Sequence, residues 1–173
     1  MLTGFATPRH IFTSPAAHLT ATRMTTPANM PSNVAALGYA GLLPPALLLV
    51  LDKLLFGNHP PILSAFVPFY AALIFSFLGG CWWAFALRED KPSTTLLVMG
   101  VLPSILTFGL IWVAYALGQV TATLILASMI ALSPLADALL KIRSLVPQWW
   151  IRLRFHLSMG LAALTALSVY RAL

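Results

Sequence analysis

Long apolar runs, separated by short polar or charged stretches, dominate the chain after residue 33. Five such runs cover residues 34–56, 62–87, 95–117, 119–140 and 155–172. A helix crosses a bilayer core of about 30 Å with roughly 20 apolar residues. The pattern therefore predicts an all-α, polytopic membrane protein with about five transmembrane helices, of which the last is near the lower length limit.

The segment 76–90, SFLGGCWWAFALRED, shows how one of these runs ends. A tryptophan pair at 82–83 is followed by a sudden change to charge, which is typical of a helix leaving the bilayer. Within this segment Ser76, Gly80 and Ala84 recur every four residues. Small side chains on one side of a helix allow close approach, so we expect these three to form a helix-packing face.

Prolines interrupt each of the first four runs. Pro44 and Pro45 stand in the first run, and Pro68, Pro103 and Pro134 stand in the next three. A proline removes a backbone donor and kinks the helix, which is tolerated where neighbouring groups satisfy the freed carbonyl. Kinks for packing are one interpretation, and broken helices that build a transport site are the alternative.

Residues 1–33 form a separate N-terminal tail, and residues 34–173 form the predicted transmembrane domain. The tail is basic and rich in Ser and Thr, and the first acidic residue of the chain is Asp52. This composition is typical of a mitochondrial transit peptide. Two alternatives remain open: a misplaced start, with Met24 or Met30 as the true bacterial initiator, and a disordered tail.

The distribution of Lys and Arg predicts the orientation of the helices. Five spans put eight basic residues on the side of the N-terminus and two on the other, Lys53 and Arg171. The positive-inside rule then places the N-terminus inside, in the cytoplasm or matrix, and the C-terminus outside. We expect a multi-pass protein of an inner membrane, either mitochondrial or bacterial.

Composition supports a membrane protein and weakens the case for nucleic-acid binding. Only 8% of the residues are charged, whereas soluble domains carry roughly 25%. The net charge of +6 is explained by basic residues at helix ends, so we expect no nucleic-acid partner. Cys81 is the single cysteine, which excludes a disulfide within the chain.

The segment 141–154, KIRSLVPQWWIRLR, combines arginine with tryptophan at a predicted membrane boundary. Such a segment favours contact with anionic phospholipids at the interface. The candidate lipid or interface contacts are Arg143, Trp149, Trp150, Arg152 and Arg154. The alternative is an anchor that sets topology and has no specific lipid site.

Asp137 is the carboxylate of the fourth run, where an ionisable group is costly and often functional. Lys141 follows at i+4, so the two side chains can form an intramembrane ion pair on one helix face. A pair with an arginine of the next loop and a proton relay are the alternatives. No catalytic, metal-ligand or phosphate-binding motif is visible, so we expect no enzyme, no metal and no cofactor.

Three segments, LGYAGLLPPALLL (37–49), FSFLGGCWWAFAL (75–87) and LADALL with VPQWWIRLRFHLS (135–158), carry a resemblance. Their order and spacing resemble the transmembrane protein 69-like family, small multi-span membrane proteins grouped as a domain of unknown function. The resemblance covers roughly residues 34–170. It implies a membrane-embedded helical fold, with members in bacteria and in mitochondria, and it implies no activity.

Three hypotheses for the function follow from these observations. The preferred one is a small non-enzymatic protein that serves as a structural, assembly or accessory subunit of a larger inner-membrane complex. The second is a small-molecule transporter or channel, which would need a polar cavity at mid-depth. The third is a membrane protein that binds a lipid or a quinone near Asp137 and the arginines around residue 152.

Overall fold

The computed structural model describes residues 30–57, 60, 62–88, 91, 93–139 and 146–170. Within these ranges the chain forms helices and no strand. The helices are α1 (Ser32–Ala40), α2 (Leu43–Phe56), α3 (Val67–Ala86), α4 (Thr94–Leu117), α5 (Gln119–Leu139) and α6 (Gln148–Tyr170). Taking α1 and α2 as one broken span, five helical segments are long and apolar enough to cross a membrane. The predicted fold class is confirmed; nearly all of the tail 1–33 lies outside the described residues.

The first span is broken between α1 and α2 because of its paired prolines. Pro45 has no N–H, so it cannot donate to the carbonyl of Gly41 one turn earlier. The hydroxyl of Tyr70, on α3, donates to the Gly41 oxygen at 2.7 Å instead. A side chain from a neighbouring helix thus satisfies the freed carbonyl, which explains how the break is tolerated inside an apolar bundle.

The connection from α2 to α3 is organised by Asp52, which is fully buried. Its carboxylate accepts hydrogen bonds from the backbone N–H groups of Ile62 and Leu63, at 3.0 and 2.7 Å. It also accepts one from the hydroxyl of Ser64 at 2.8 Å. These bonds fix the start of the short 3-10 turn that leads into α3.

Helix α3 contacts α2, α4, α5 and α6, so it is the central element of the bundle. It packs most closely on α4, where a Cβ built on Gly79 would stand 2.2 Å from the carbonyl oxygen of Gly100. The absence of a side chain at Gly79 permits this approach, and a Cβ on Gly100 would collide with the ring of Trp83. Gly118 alone separates α4 from α5 and has φ +90°, a backbone conformation that favours glycine.

The apolar core lies where α3, α5 and α6 meet. Its buried members are Ala71, Phe75, Leu126, Ile130, Leu161 and Ala162. A second cluster, formed by Trp82, Ala86 and Leu96, joins the end of α3 to the start of α4. The segment 76–90 therefore contributes to the interior as well as to the end of its helix.

The fifth span differs from the sequence prediction, because α6 begins at Gln148 and not at residue 155. The segment WWIRLR, which was predicted as part of a loop, forms the first turns of this helix. Arginines at positions 152 and 154 suggested a loop outside the bilayer. The helix accommodates Arg154 because a carboxylate on α5 neutralises it within the bundle.

Candidate functional site

A buried polar cluster joins α3, α5 and α6 near one end of the bundle. Asp137 and Arg154 form an ion pair, with the Asp137 Oδ2 atom against the Arg154 Nε atom. Both residues are buried, with 2% and 4% of their surfaces exposed. The indole Nε1 of Trp82 donates to Asp137 Oδ1 at 2.6 Å. The carboxylate therefore contacts the indole N–H through one oxygen and the guanidinium through the other.

Trp82 supports both members of the ion pair. The Arg154 Cζ atom lies 5.4 Å from the centroid of the Trp82 ring, which is a cation–π distance. The same indole thus gives its N–H to the carboxylate and its ring face to the guanidinium. Because charges in an apolar interior are stable only when paired and hydrogen-bonded, the cluster keeps these three helices in register.

Apart from the atoms of the ion pair itself, two buried donors at this cluster have no hydrogen-bond partner among the described residues. They are the Nη2 atom of Arg154 and the Nε1 atom of Trp150. The Trp150 ring packs edge-on against Phe85, with ring centroids 5.9 Å apart. An unsatisfied donor in an apolar environment is costly, so both atoms are suited to an acceptor that is not part of this chain.

A cavity of about 280 Å³ lies between α1, α3 and α6, and we call it the α1–α6 groove. Arg154, Trp150 and Cys81 line it together with a larger set of apolar side chains. The apolar part is formed by Val34, Leu37, Leu42, Ile74, Phe77, Leu78, Leu153, Leu157 and Leu161, and the remaining lining residues are Gly38, Gly41 and Ser158. One site thus combines an apolar groove with polar groups at Arg154 and Trp150.

A second cavity, of about 480 Å³, lies between α3, α4 and the start of α5. Ser76 and Ser104 share a hydrogen bond of 2.7 Å across the two helices there. The hydroxyl of Thr107 also belongs to this cavity; its oxygen is buried and has no partner among the described residues. We call this surface the α3–α4 groove.

The predicted packing face of α3 is divided in the structure. Ser76 contacts α4, but Gly80 and Ala84 are exposed on the outside of the bundle. A Cβ built on Gly80 would meet no atom within 4 Å. Close packing against α4 uses Gly79 instead. The spacing of small residues predicted a packing face that contains Gly80. The adjacent glycine, Gly79, is the one that contacts α4.

The other predicted site residues fall in different environments. Lys141 and Arg143 lie outside the described residues, so neither the Asp137–Lys141 pair nor the Arg143 contact can be placed. Arg152 is exposed and Trp149 is half-buried, whereas Arg154 faces the interior. The partner of Asp137 in the structure is Arg154. The sequence pattern had predicted Arg154 at the lipid interface.

Sequence reasoning missed Trp82 as a partner of Asp137 and assigned it to the headgroup region. Its neighbour Trp83 is exposed and donates to the carbonyl of Leu97 at 2.7 Å, so only one ring of the pair faces outward. Helical geometry turns adjacent residues by about 100°, and this signal could have separated the two. Nothing local in the sequence indicated that α6 would bring Arg154 to Asp137.

Metal binding finds no support in the described ranges. They contain no group of three His, Cys, Asp or Glu side chains close enough together to hold an ion. The polar cluster has a single carboxylate, and its arginine already neutralises that charge. The chemistry that this cluster offers is hydrogen-bond donation beside an apolar groove.

Taken with its five apolar spans, this architecture defines a multi-pass α-helical membrane protein. The family model described as "Protein of unknown function (DUF3429)" matches residues 30–170. The chain belongs to this family. Comparisons with curated proteins and with solved structures give no match. The functional argument therefore rests on the geometry of the chain itself.

Proposed function

We propose that this protein is a non-enzymatic accessory or assembly subunit of a larger inner-membrane complex. The described part of the chain consists almost entirely of membrane-length helices joined by short connections. A protein of this shape meets partners mainly through its outer helix faces. The question is therefore whether one of these faces is suited to another helix.

The observation that carries the proposal is the outer face of α3 and α4. Gly80 and Ala84 leave a smooth, exposed strip on α3 that continues from Ser76. Small residues four apart allow a second helix backbone to approach closely. The exposed faces of other helices carry large side chains, for example Leu132 on α5 and Phe155 on α6. The smooth strip is the surface to which we assign the partner helix.

Hydroxyl groups beside this strip support the same assignment. In α5 and α6 the hydroxyls of Thr123, Ser128 and Thr165 donate to carbonyls of their own helices. Thr107 does not, and its buried oxygen has no partner in the described ranges. Hydroxyls of this kind hydrogen-bond across helix interfaces in membranes. A partner helix in the α3–α4 groove would satisfy Thr107.

The transporter alternative gains less support from the geometry. It needs a polar cavity at mid-depth, and both cavities described above are lined mainly by apolar side chains. Proline-broken helices are present, but the carbonyl freed at the break in the first span already accepts a hydrogen bond from Tyr70. We therefore keep the accessory role as the proposal.

Extraction of the tagged protein in a mild detergent, followed by native gel separation and mass spectrometry, tests this proposal. We expect a band much larger than the protein alone, with a defined set of co-migrating membrane proteins. Gly80→Leu should remove these partners because it fills the smooth strip. Gly109→Leu is the matched control, since position 109 of α4 also has open space around its Cβ. Migration of the wild type as a lone particle would contradict the proposal.

A further inference from the structure

The α1–α6 groove is separate from the surface assigned to partner proteins. It is bounded by α1, α3 and α6, whereas the partner surface is on α3 and α4. The accessory role does not require this groove. Its shape and chemistry therefore call for their own explanation.

The groove is apolar along its length and opens to the outside of the bundle. Leu37 and Phe77 line it and keep 76% and 68% of their surfaces exposed. A chain that enters from the surrounding apolar phase would meet mainly hydrocarbon side chains there. Its volume of about 280 Å³ is close to the lower end of ligand pockets, roughly 300 Å³. A long chain would lie partly inside the groove and partly along its open side.

The polar end of the groove presents hydrogen-bond donors that lack an acceptor. Arg154 lines the groove, is 4% exposed, and has an Nη2 atom without a partner in the described ranges. Trp150 adds a second buried donor without a partner, its Nε1 atom. The complementary group on a ligand is an oxygen that accepts hydrogen bonds.

The charge of the site distinguishes between neutral and anionic acceptors. Asp137 forms an ion pair with Arg154, so the two formal charges cancel at the groove. A phosphate or a carboxylate would have to leave water for a buried site that has no net positive charge, which is unfavourable. A carbonyl oxygen accepts from the same donors without this cost. The geometry thus favours a neutral carbonyl group over an anionic headgroup.

We propose that the α1–α6 groove binds a neutral amphipathic lipid that bears a carbonyl oxygen. Its apolar chain lies along the groove between α1 and α6, and its carbonyl oxygen accepts from Arg154 Nη2 and Trp150 Nε1. A prenylated quinone and an acylglycerol ester both have this chemistry. The Asp137–Arg154 pair serves to bury a guanidinium donor without presenting a net charge.

Cys81 provides a site-specific readout, because it lines the groove and is the single cysteine of the sequence. The intact protein is purified in dodecyl maltoside, a detergent without a carbonyl group, and the rate of Cys81 alkylation by N-ethylmaleimide is followed by mass spectrometry. Three probes are added in turn: a fully substituted prenylated benzoquinone, dioleoylglycerol and phosphatidylglycerol. We expect the quinone or the diacylglycerol to slow alkylation, and the one that does so identifies the source of the carbonyl.

Two variants separate binding from folding. Asp137→Asn combined with Arg154→Gln removes both charges together and should abolish the protection of Cys81. Val34→Trp fills the groove, leaves the ion pair intact, and should also abolish the effect of the probe. Leu47→Trp is the matched control on the exposed side of α2, outside the groove, and should keep it.

Three results would overturn the inference. The first is protection by phosphatidylglycerol alone, which would show an anionic ligand. The second is equal protection in the wild type and in Val34→Trp, which would place the probe elsewhere. The third is the absence of protection by every probe. None of these results bears on the native-gel test of the accessory role, so the two proposals fail independently.

Discussion

The indole of Trp82 donates a 2.6 Å hydrogen bond to Asp137 and thereby joins α3 to α5 inside the bundle. Trp82→Phe keeps most of the ring and removes the donor, so one carboxylate oxygen loses its partner. We expect a loss of about 1–3 kcal/mol in the free energy of unfolding, the cost of an unsatisfied buried polar group. Thermal unfolding in detergent would measure it.

Trp83→Phe is the control for this substitution. Trp83 also donates a hydrogen bond, but it is exposed and its acceptor is a backbone carbonyl. Its loss should cost less than that of the Trp82 bond. Equal losses in the two variants would show that the Trp82–Asp137 bond has no special role.

The ion pair between Asp137 and Arg154 makes a second prediction. Arg154→Leu leaves a buried carboxylate without its cation, which should reduce stability by about 3–5 kcal/mol. Adding Asp137→Leu to Arg154→Leu removes the remaining charge and should recover most of the lost stability, because replacing both members of a buried ion pair with apolar residues is often neutral. Thermal unfolding of the two single variants and the double variant completes a double-mutant cycle. If the two losses of stability simply add in the double variant, a direct pairing is contradicted.

Adjacent glycines of α3 give a third prediction. Gly79→Ala places a Cβ against the backbone of α4 and must push the two helices apart. We expect a loss of about 1–3 kcal/mol, as for overpacking of a tight interface. Gly80→Ala meets open space and should leave the isolated protein as stable as the wild type or slightly more so. Comparison of their midpoints of thermal unfolding checks this; similar losses at both positions would refute the assigned register.

Asp52 gives a fourth prediction, which concerns the connection from α2 to α3. Asp52→Ala leaves the buried N–H groups of Ile62 and Leu63 without their acceptor. The expected loss is about 1–3 kcal/mol, with faster amide exchange in the turn that precedes α3. Asp52→Asn keeps one acceptor oxygen and should lose less. Unchanged exchange in Asp52→Ala would mean that the carboxylate does not organise this connection.

Periodicity and hydropathy were sufficient to predict the number and approximate limits of the spans, because each helix must be apolar over the thickness of a bilayer. They failed at the start of α6. Hydropathy treats Arg154 as a residue in water, but its charge is neutralised by a carboxylate that lies 17 positions earlier in the chain. Long-range pairing of this kind has no local signal.

The candidate sites were predictable in part. Asp137 was recognised from its position inside an apolar run, since an unpaired charge there is unfavourable. Its partner could not be chosen among several basic residues without the arrangement of α5 and α6. The α1–α6 groove was not predictable, because it depends on the angle between α1 and α2 and on the residues of three helices. The orientation of the termini relative to the membrane stays a prediction from the distribution of Lys and Arg.

The accessory role can be tested most directly by photo-crosslinking in native membranes. A photoreactive phenylalanine analogue is placed at Ala84, on the smooth strip of α3, and at Leu132, an exposed position of α5. The account predicts a discrete adduct with another membrane protein from position 84 and none of that mass from position 132. Lipid adducts alone at position 84, or the same adducts from both positions, would contradict it.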